Sequence, residues 1–159
     1  MKNLIIRILL LVISIFVAQN TFARETSKVE KAVDEMVSKY EGASGVTCLT
    51  VVKGRGLEIM KAMLNKEFGK SFMKGVTRIT LIEYTDASQE NCKSLHKDLE
   101  VFQTLMDDFD FNNEEEFAEN EYIRCFASED DQALSDFIIA IEDKESKVFM
   151  YMAGKITFE

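Results

Sequence analysis

The fold this sequence predicts is α+β: a two-layer sandwich in which a five-stranded mixed sheet carries two helices on one face, with an additional N-terminal helix. Three observations predict it. Two octapeptides, GVTCLTVV at 45–52 and GVTRITLI at 75–82, share a β-branched composition bounded by glycine, as strands do. The segment between them changes to a helical period, with Leu57, Met60, Met63, Leu64 and Phe68 recurring before Gly69. The last third of the chain holds three strand-like runs, EYIRCFA, LSDFIIAIED and KVFMYMAGKITF, whose connections are too short for parallel crossovers. Those three runs therefore predict an antiparallel meander.

The opening segment, MKNLIIRILLLVISIFVAQNTFA, has a basic start at Lys2 and Arg7 and an apolar run from Ile8 to Ala18, and it closes on small residues. It reads as a secretory signal peptide over 1–23, cut after Ala23. Its apolar run is shorter than the roughly 20 residues a helix needs to cross a bilayer, so no transmembrane segment is expected in the mature chain. No cysteine stands near the cut to accept a lipid. The expected product is an exported protein, periplasmic or secreted, with one domain over 24–159. Proline is absent and no low-complexity linker interrupts the chain, so a second domain is not expected.

Val29, Ala32, Val33, Met36, Val37 and Tyr40 then form an apolar stripe on a short helix that ends near Gly42. After the second octapeptide, Ser88 starts a longer helix with Cys92, Leu95, Leu99, Phe102, Leu105, Met106 and Phe109 on its buried side. Lys144, Glu145 and Ser146 mark the tip of the final hairpin.

The octapeptide echo contains no acid, base or strong nucleophile in its shared positions, so it is read as a rule for building strands. Each copy precedes a helix, and the two strands are expected side by side and parallel, joined by a right-handed crossover. Alternation places Leu49 and Val51 with Ile79 and Leu81 on the face packed under the helices, joined by Phe137, Ile139 and Ile141. On the opposite face, Arg78, Thr80 and Tyr84 are expected with Tyr122, Arg124 and Phe126. Two readings of that face stand together: the N-terminal helix covers it, or it is an exposed recognition surface.

Composition excludes more functions than it suggests. The net charge is −9, and loss of Lys2 and Arg7 with the leader makes it −11. That acidity argues against nucleic-acid binding, which needs clustered Lys and Arg. The three cysteines, Cys48, Cys92 and Cys125, form no CxxC pair for zinc or redox exchange. They read as small buried hydrophobes, with one disulfide as the alternative in an oxidising compartment. The single histidine, His96, sits in a polar stretch of helix, and no G-x-S-x-G elbow occurs. A thiol dyad of Cys48 and His96 would need the fold to join them.

The turn KGRGLE lacks the phosphate-loop and dinucleotide patterns and reads as a strand-to-helix turn, with Arg55 an exposed contact residue. The acidic stretch from Asp108 to Glu119 offers oxygen donors at calcium-loop positions, but Asn113 replaces the turn glycine and Glu115 occupies an apolar place. It is expected as a helix ending and a solvated turn, with calcium the alternative. No cofactor and no metal are called for.

GVTCLTV, LEIMKAML, FMKGVTRITLIEY and DFIIAIEDKESKVFMYMAGKI together resemble a family of small exported proteins of unknown function from Gram-negative gut bacteria. The resemblance implies an α+β domain in the cell envelope with no assigned activity and no catalytic residues to carry over. The expected function is a non-enzymatic binding or interaction domain whose partner is another envelope protein or an envelope component. Arg78, Tyr84, Tyr122 and Arg124 are the candidate partner surface. A thiol- or histidine-dependent hydrolase and a calcium-stabilised module are the competing readings.

Overall fold

A computed structural model describes residues 27–108, 122–130, 133–143 and 145–157. The leader at 1–23, Lys144 of the hairpin tip and nearly all of the acidic stretch 108–119 lie outside the described residues.

The first helix, α1 (Lys28–Tyr40), starts where Ser27 accepts a hydrogen bond from the Glu30 backbone N–H at 3.0 Å. Val29, Val33, Met36 and Tyr40 form its buried stripe, as the spacing predicts. Next come β1 (Thr47–Val51), α2 (Arg55–Phe68), a short α3 (Lys70–Gly75) and β2 (Val76–Glu83). The long helix expected from Ser88 is shorter than its apolar pattern suggests. It ends as α4 (Gln89–Leu99), followed by a single turn, α5 (Phe102–Leu105), and a two-residue strand, β3 (Asp107–Asp108). The closing strands are β4 (Tyr122–Asp130), β5 (Ala133–Glu142) and β6 (Lys147–Ile156). At the last hairpin, Asp143 Oδ1 accepts from the backbone N–H groups of Glu145 and Ser146, both at 2.7 Å, which closes an Asx turn.

The class is α+β, and the three closing strands form the expected antiparallel meander. The strand order is β1-β2-β6-β5-β4-β3, and every pair is antiparallel. The sheet is therefore not mixed. The echoing strands are neighbours, but they run in opposite directions, with Thr50 opposite Thr80 and Val51 opposite Ile79. The physical reason is the break at Gly69, whose φ of 85° ends α2 and lets α3 begin. Split in two, the connection delivers the chain to β2 beside the end where β1 finished.

The seven residues assigned to the apolar face do share one cluster. Val51, Ile79, Leu81, Phe137 and Ile139 are buried there, with Leu49 and Ile141 packed against it. Leu57, Met60 and Leu64 of α2 and Phe72 and Met73 of α3 roof it. Phe72 meets Phe137 edge-on, with ring centroids 5.3 Å apart.

The second expected helix is not on that face. α4 and α5 join α1 on the opposite side, where Cys92, Leu95, Leu99 and Phe102 pack with Val33, Met36, Ile82, Phe126, Ile138, Phe149 and Tyr151. The sheet is thus the middle of three layers. The cause is legible in β5 and β6, whose near-continuous apolar runs leave both faces in need of cover.

Both glycines that open the echo sit where two backbones touch. A Cβ on Gly45, which has φ 73°, would lie 2.0 Å from the Asp86 carbonyl oxygen, and one on Gly75 would lie 1.7 Å from that of Lys155.

Candidate functional site

The face proposed for recognition is occupied by the chain itself. Arg78 is 6% exposed, because α1 lies across it. Its Nη1 donates to Glu30 Oε1 at 2.6 Å, its Nη2 pairs with Asp34, and its Nε donates to Thr80 Oγ1 at 3.2 Å. The guanidinium also stands over the Tyr151 ring, 5.7 Å from its centroid. Glu30 and Asp34 are four apart, on one side of α1, so two turns of helix present two carboxylates to one cation. These contacts hold Arg78 protonated against the opposing effect of its burial.

Beyond Arg78 the polar contacts continue inward. Tyr151 donates its hydroxyl to Asp136 Oδ1 at 2.6 Å, and Ser27 donates to the same oxygen at 3.2 Å. Ser135 donates to Asp136 Oδ2 at 2.9 Å. Burial, and then the Asp136 carboxylate, push the Tyr151 phenol far above its usual range. No buried side-chain N or O among the described residues lacks a partner.

Tyr84 is fully buried, with its hydroxyl donating to Glu142 Oε1 at 2.7 Å, and the same carboxylate oxygen contacts His96 Nε2. Arg124 is partly exposed at the rim, with its guanidinium 5.0 Å from the Phe126 ring centroid. The side chain of Tyr122 lies outside what the structure describes. Of the four residues assigned to partner binding, Arg78 and Tyr84 are thus interior, and of the two readings of that face the structure shows the covering by the N-terminal helix. The recognition reading does not hold for Arg78 and Tyr84, and the sequence could not choose between the two because aromatic and charged residues at alternate strand positions suit solvent and a polar-lined interface equally.

The thiol alternative finds no assembled dyad. His96 meets Glu142, while Cys48 lies in β1 opposite Ile82. Burial, aided by Glu41, pushes the Cys48 thiol up to about 11, away from the thiolate a nucleophile needs. Cys92 accepts from Lys147 Nζ at 3.5 Å, and Cys125 lies in the cluster on the other side of the sheet. Cys48 and Cys92 carry free thiols. Among the described residues no group of three or more His, Cys, Asp or Glu is placed to hold a metal. The calcium reading of 108–119 falls outside them.

The described surface has two concavities of note. One, about 160 Å³, lies between α1 and the α4–α5 turn beside Met36, Lys39, Asp98, Val101 and Phe102. Lys39 donates to Asp98 Oδ2 at 2.7 Å and Tyr40 donates to the same oxygen at 2.8 Å, clipping the two helices together. The other, about 340 Å³, lies between α2 and α3 and is lined by Lys61, Lys70, Lys74, Asn65 and Glu58. It belongs to a cationic stretch: 53–75 carries Lys53, Arg55, Lys61, Lys66, Lys70 and Lys74 against Glu58 and Glu67, in a chain of net charge −9. Sequence reading singled out Arg55 alone from this stretch; the signal missed was the local excess of lysine inside an acidic chain.

No protein-family model matches the chain, and no curated protein and no solved structure matches it either. No helix among the described residues is long and apolar enough to cross a membrane.

Proposed function

We propose that this chain is an exported, non-enzymatic binding domain of the cell envelope, and that its binding surface is the cationic α2–α3 roof. The observation that carries the reading is the segregation of charge. Lys66, Lys70 and Lys74 are exposed on the roof, Lys61 is held at its centre by the Lys74 carbonyl at 3.2 Å, and the surrounding chain is strongly acidic. The excess of positive charge on this face, in a chain acidic overall, favours the approach of an anionic partner there. Each lysine near an anionic lipid surface contributes about 1 kcal/mol, and the attraction weakens with salt.

The leader-like segment at 1–23 supports export, and the resemblance to small exported envelope proteins supports the same address. The raised Cys48 thiol and the pairing of His96 with Glu142 favour binding over thiol chemistry. The anionic component in this reading is a phospholipid headgroup surface. Sedimentation with phosphatidylglycerol vesicles tests it: binding is expected at low salt, absent with phosphatidylcholine, and lowered about tenfold or more in K66E/K70E/K74E. Equal binding to both vesicle types, or no change in the triple variant, would remove the roof as the site.

A further inference from the structure

The two edges of the sheet are unlike. At one end lies β3, two residues long and acidic through Asp107 and Asp108, which resists pairing with another strand. At the other lies β1, five residues long; among the described residues its outer edge pairs with no other strand. Residues 45–52 hold no charge and no proline, and the β1–β2 ladder runs without the register breaks seen in β2–β6 and β5–β6. Within 45–52 neither charge nor proline guards that edge, and among the described residues no second strand does.

What fits that edge is suggested by the strand on the inner side. β1 already pairs antiparallel with a near-copy of itself, since the octapeptide at 75–82 that leads into β2 repeats the Gly, Val, Thr and second Thr of 45–52. The ladder sets the echo's equivalent positions, Thr50 and Thr80, directly opposite one another, with hydroxyls 3.1 Å apart, one pair from its middle at Leu49 and Leu81. A strand that pairs with its own echo about Thr50 is able to pair with itself about Thr50, because a two-fold axis can pass through the centre of an antiparallel residue pair.

We propose that two copies of this chain join through β1, antiparallel about an axis at Thr50, so that their sheets become one continuous sheet. Leu49 then stands opposite Val51 of the second copy, and the partly exposed Leu49 side chain gains apolar cover on the α2 side. Charge is arranged for the same pairing. The C-terminal end of β1 leads into Lys53 and the exposed Arg55, while its N-terminal end lies beside the exposed Glu41 and Asp86, the latter against Gly45. Antiparallel pairing brings the basic end of each copy to the acidic end of the other, twice over. Parallel pairing would place like charges together.

Sedimentation velocity of the purified protein across a concentration series tests the proposal. A reversible dimer is expected. R55E should raise its dissociation constant about tenfold, and the exposed-site swap E41R/R55E should return it close to the starting value. Register is read separately. In C48S/T50C the two introduced thiols face each other across the axis, within the roughly 4.4–6.8 Å Cα spacing a disulfide accepts, so mild oxidation should yield a covalent dimer. Cys48 in the unaltered protein is opposite Val52 of the second copy and should not link. A monomer at all concentrations overturns the proposal, as does a dimer indifferent to both charge variants, or one that links through Cys48 but not through position 50. These outcomes are independent of vesicle binding, which is read on Lys66, Lys70 and Lys74.

Discussion

The two faces of the sheet are covered by helices in different ways. Under α2 and α3 the contacts are aliphatic and aromatic throughout, with Phe68, Phe72 and Phe137 in mutual ring contact. Under α1 an apolar cluster of similar extent adjoins a polar group in which the buried Arg78, Asp136 and Tyr151 meet the partly solvated Glu30 and Asp34. The first face is held by shape and area, which tolerate many exchanges of one hydrophobe for another. The second is held by partners that must each be present, because a buried charge left alone is far costlier than one that was never there. On that face Glu30 and Asp34 of α1 both meet Arg78, so the helix is tied to the sheet by charge as well as by its apolar stripe.

Truncation on the apolar face sets the largest expected effect. Phe137→Ala should destabilise the domain by about 3–5 kcal/mol in urea unfolding, since it empties the centre of the ring cluster. Next comes Arg78→Ala, at about 2–3 kcal/mol, less than a fully buried pair because Glu30 and Asp34 are partly solvated. Arg78→Met sharpens the contrast: refilling the space while leaving two acids unpaired should recover part of that loss, and full recovery would mean the ion pairs contribute nothing. Tyr151→Phe should cost about 1–2 kcal/mol, the value of one hydrogen bond to a buried carboxylate.

A smaller effect is expected in alkaline solution. Cys48 and Tyr151 both have protonated forms favoured by folding, Cys48 with its thiol pushed to about 11. Their contribution is complete below the ordinary thiol and phenol values and is lost as pH rises through the folded ones. The melting temperature should therefore fall above roughly pH 9, and Cys48→Ser should flatten the first part of that fall. A profile identical in the variant would mean the thiol is solvated. The least change is expected from Lys39→Ala, under about 1 kcal/mol, because the Lys39–Asp98 pair stands at the surface.

Much of the apolar face was legible in the sequence. Leu49, Val51, Ile79, Leu81, Phe137, Ile139 and Ile141 follow from a period of two, and the α1 stripe follows from a period of 3.6. Strand direction was not legible, because alternation places Leu49 and Ile79 on the same side whether the neighbours run parallel or antiparallel. Gly69 carried the only hint, since a glycine inside a connection can turn it back. The polar group around Arg78 was not legible either. Arg78 and Tyr84 read as surface residues until a helix more than forty positions away in sequence supplies Glu30, and a strand end far beyond supplies Glu142.

Local chemistry determined which segments are helices and strands, which side of each is apolar, and that the chain is acidic overall; each is written in residues a few positions apart. Only the tertiary structure decided that the echoing strands oppose one another, that helices cover both faces, that Arg78 is interior, and that β1 is left at the edge. Those outcomes depend on which distant residues meet, and pairing across long loops leaves no mark in the local period of side chains.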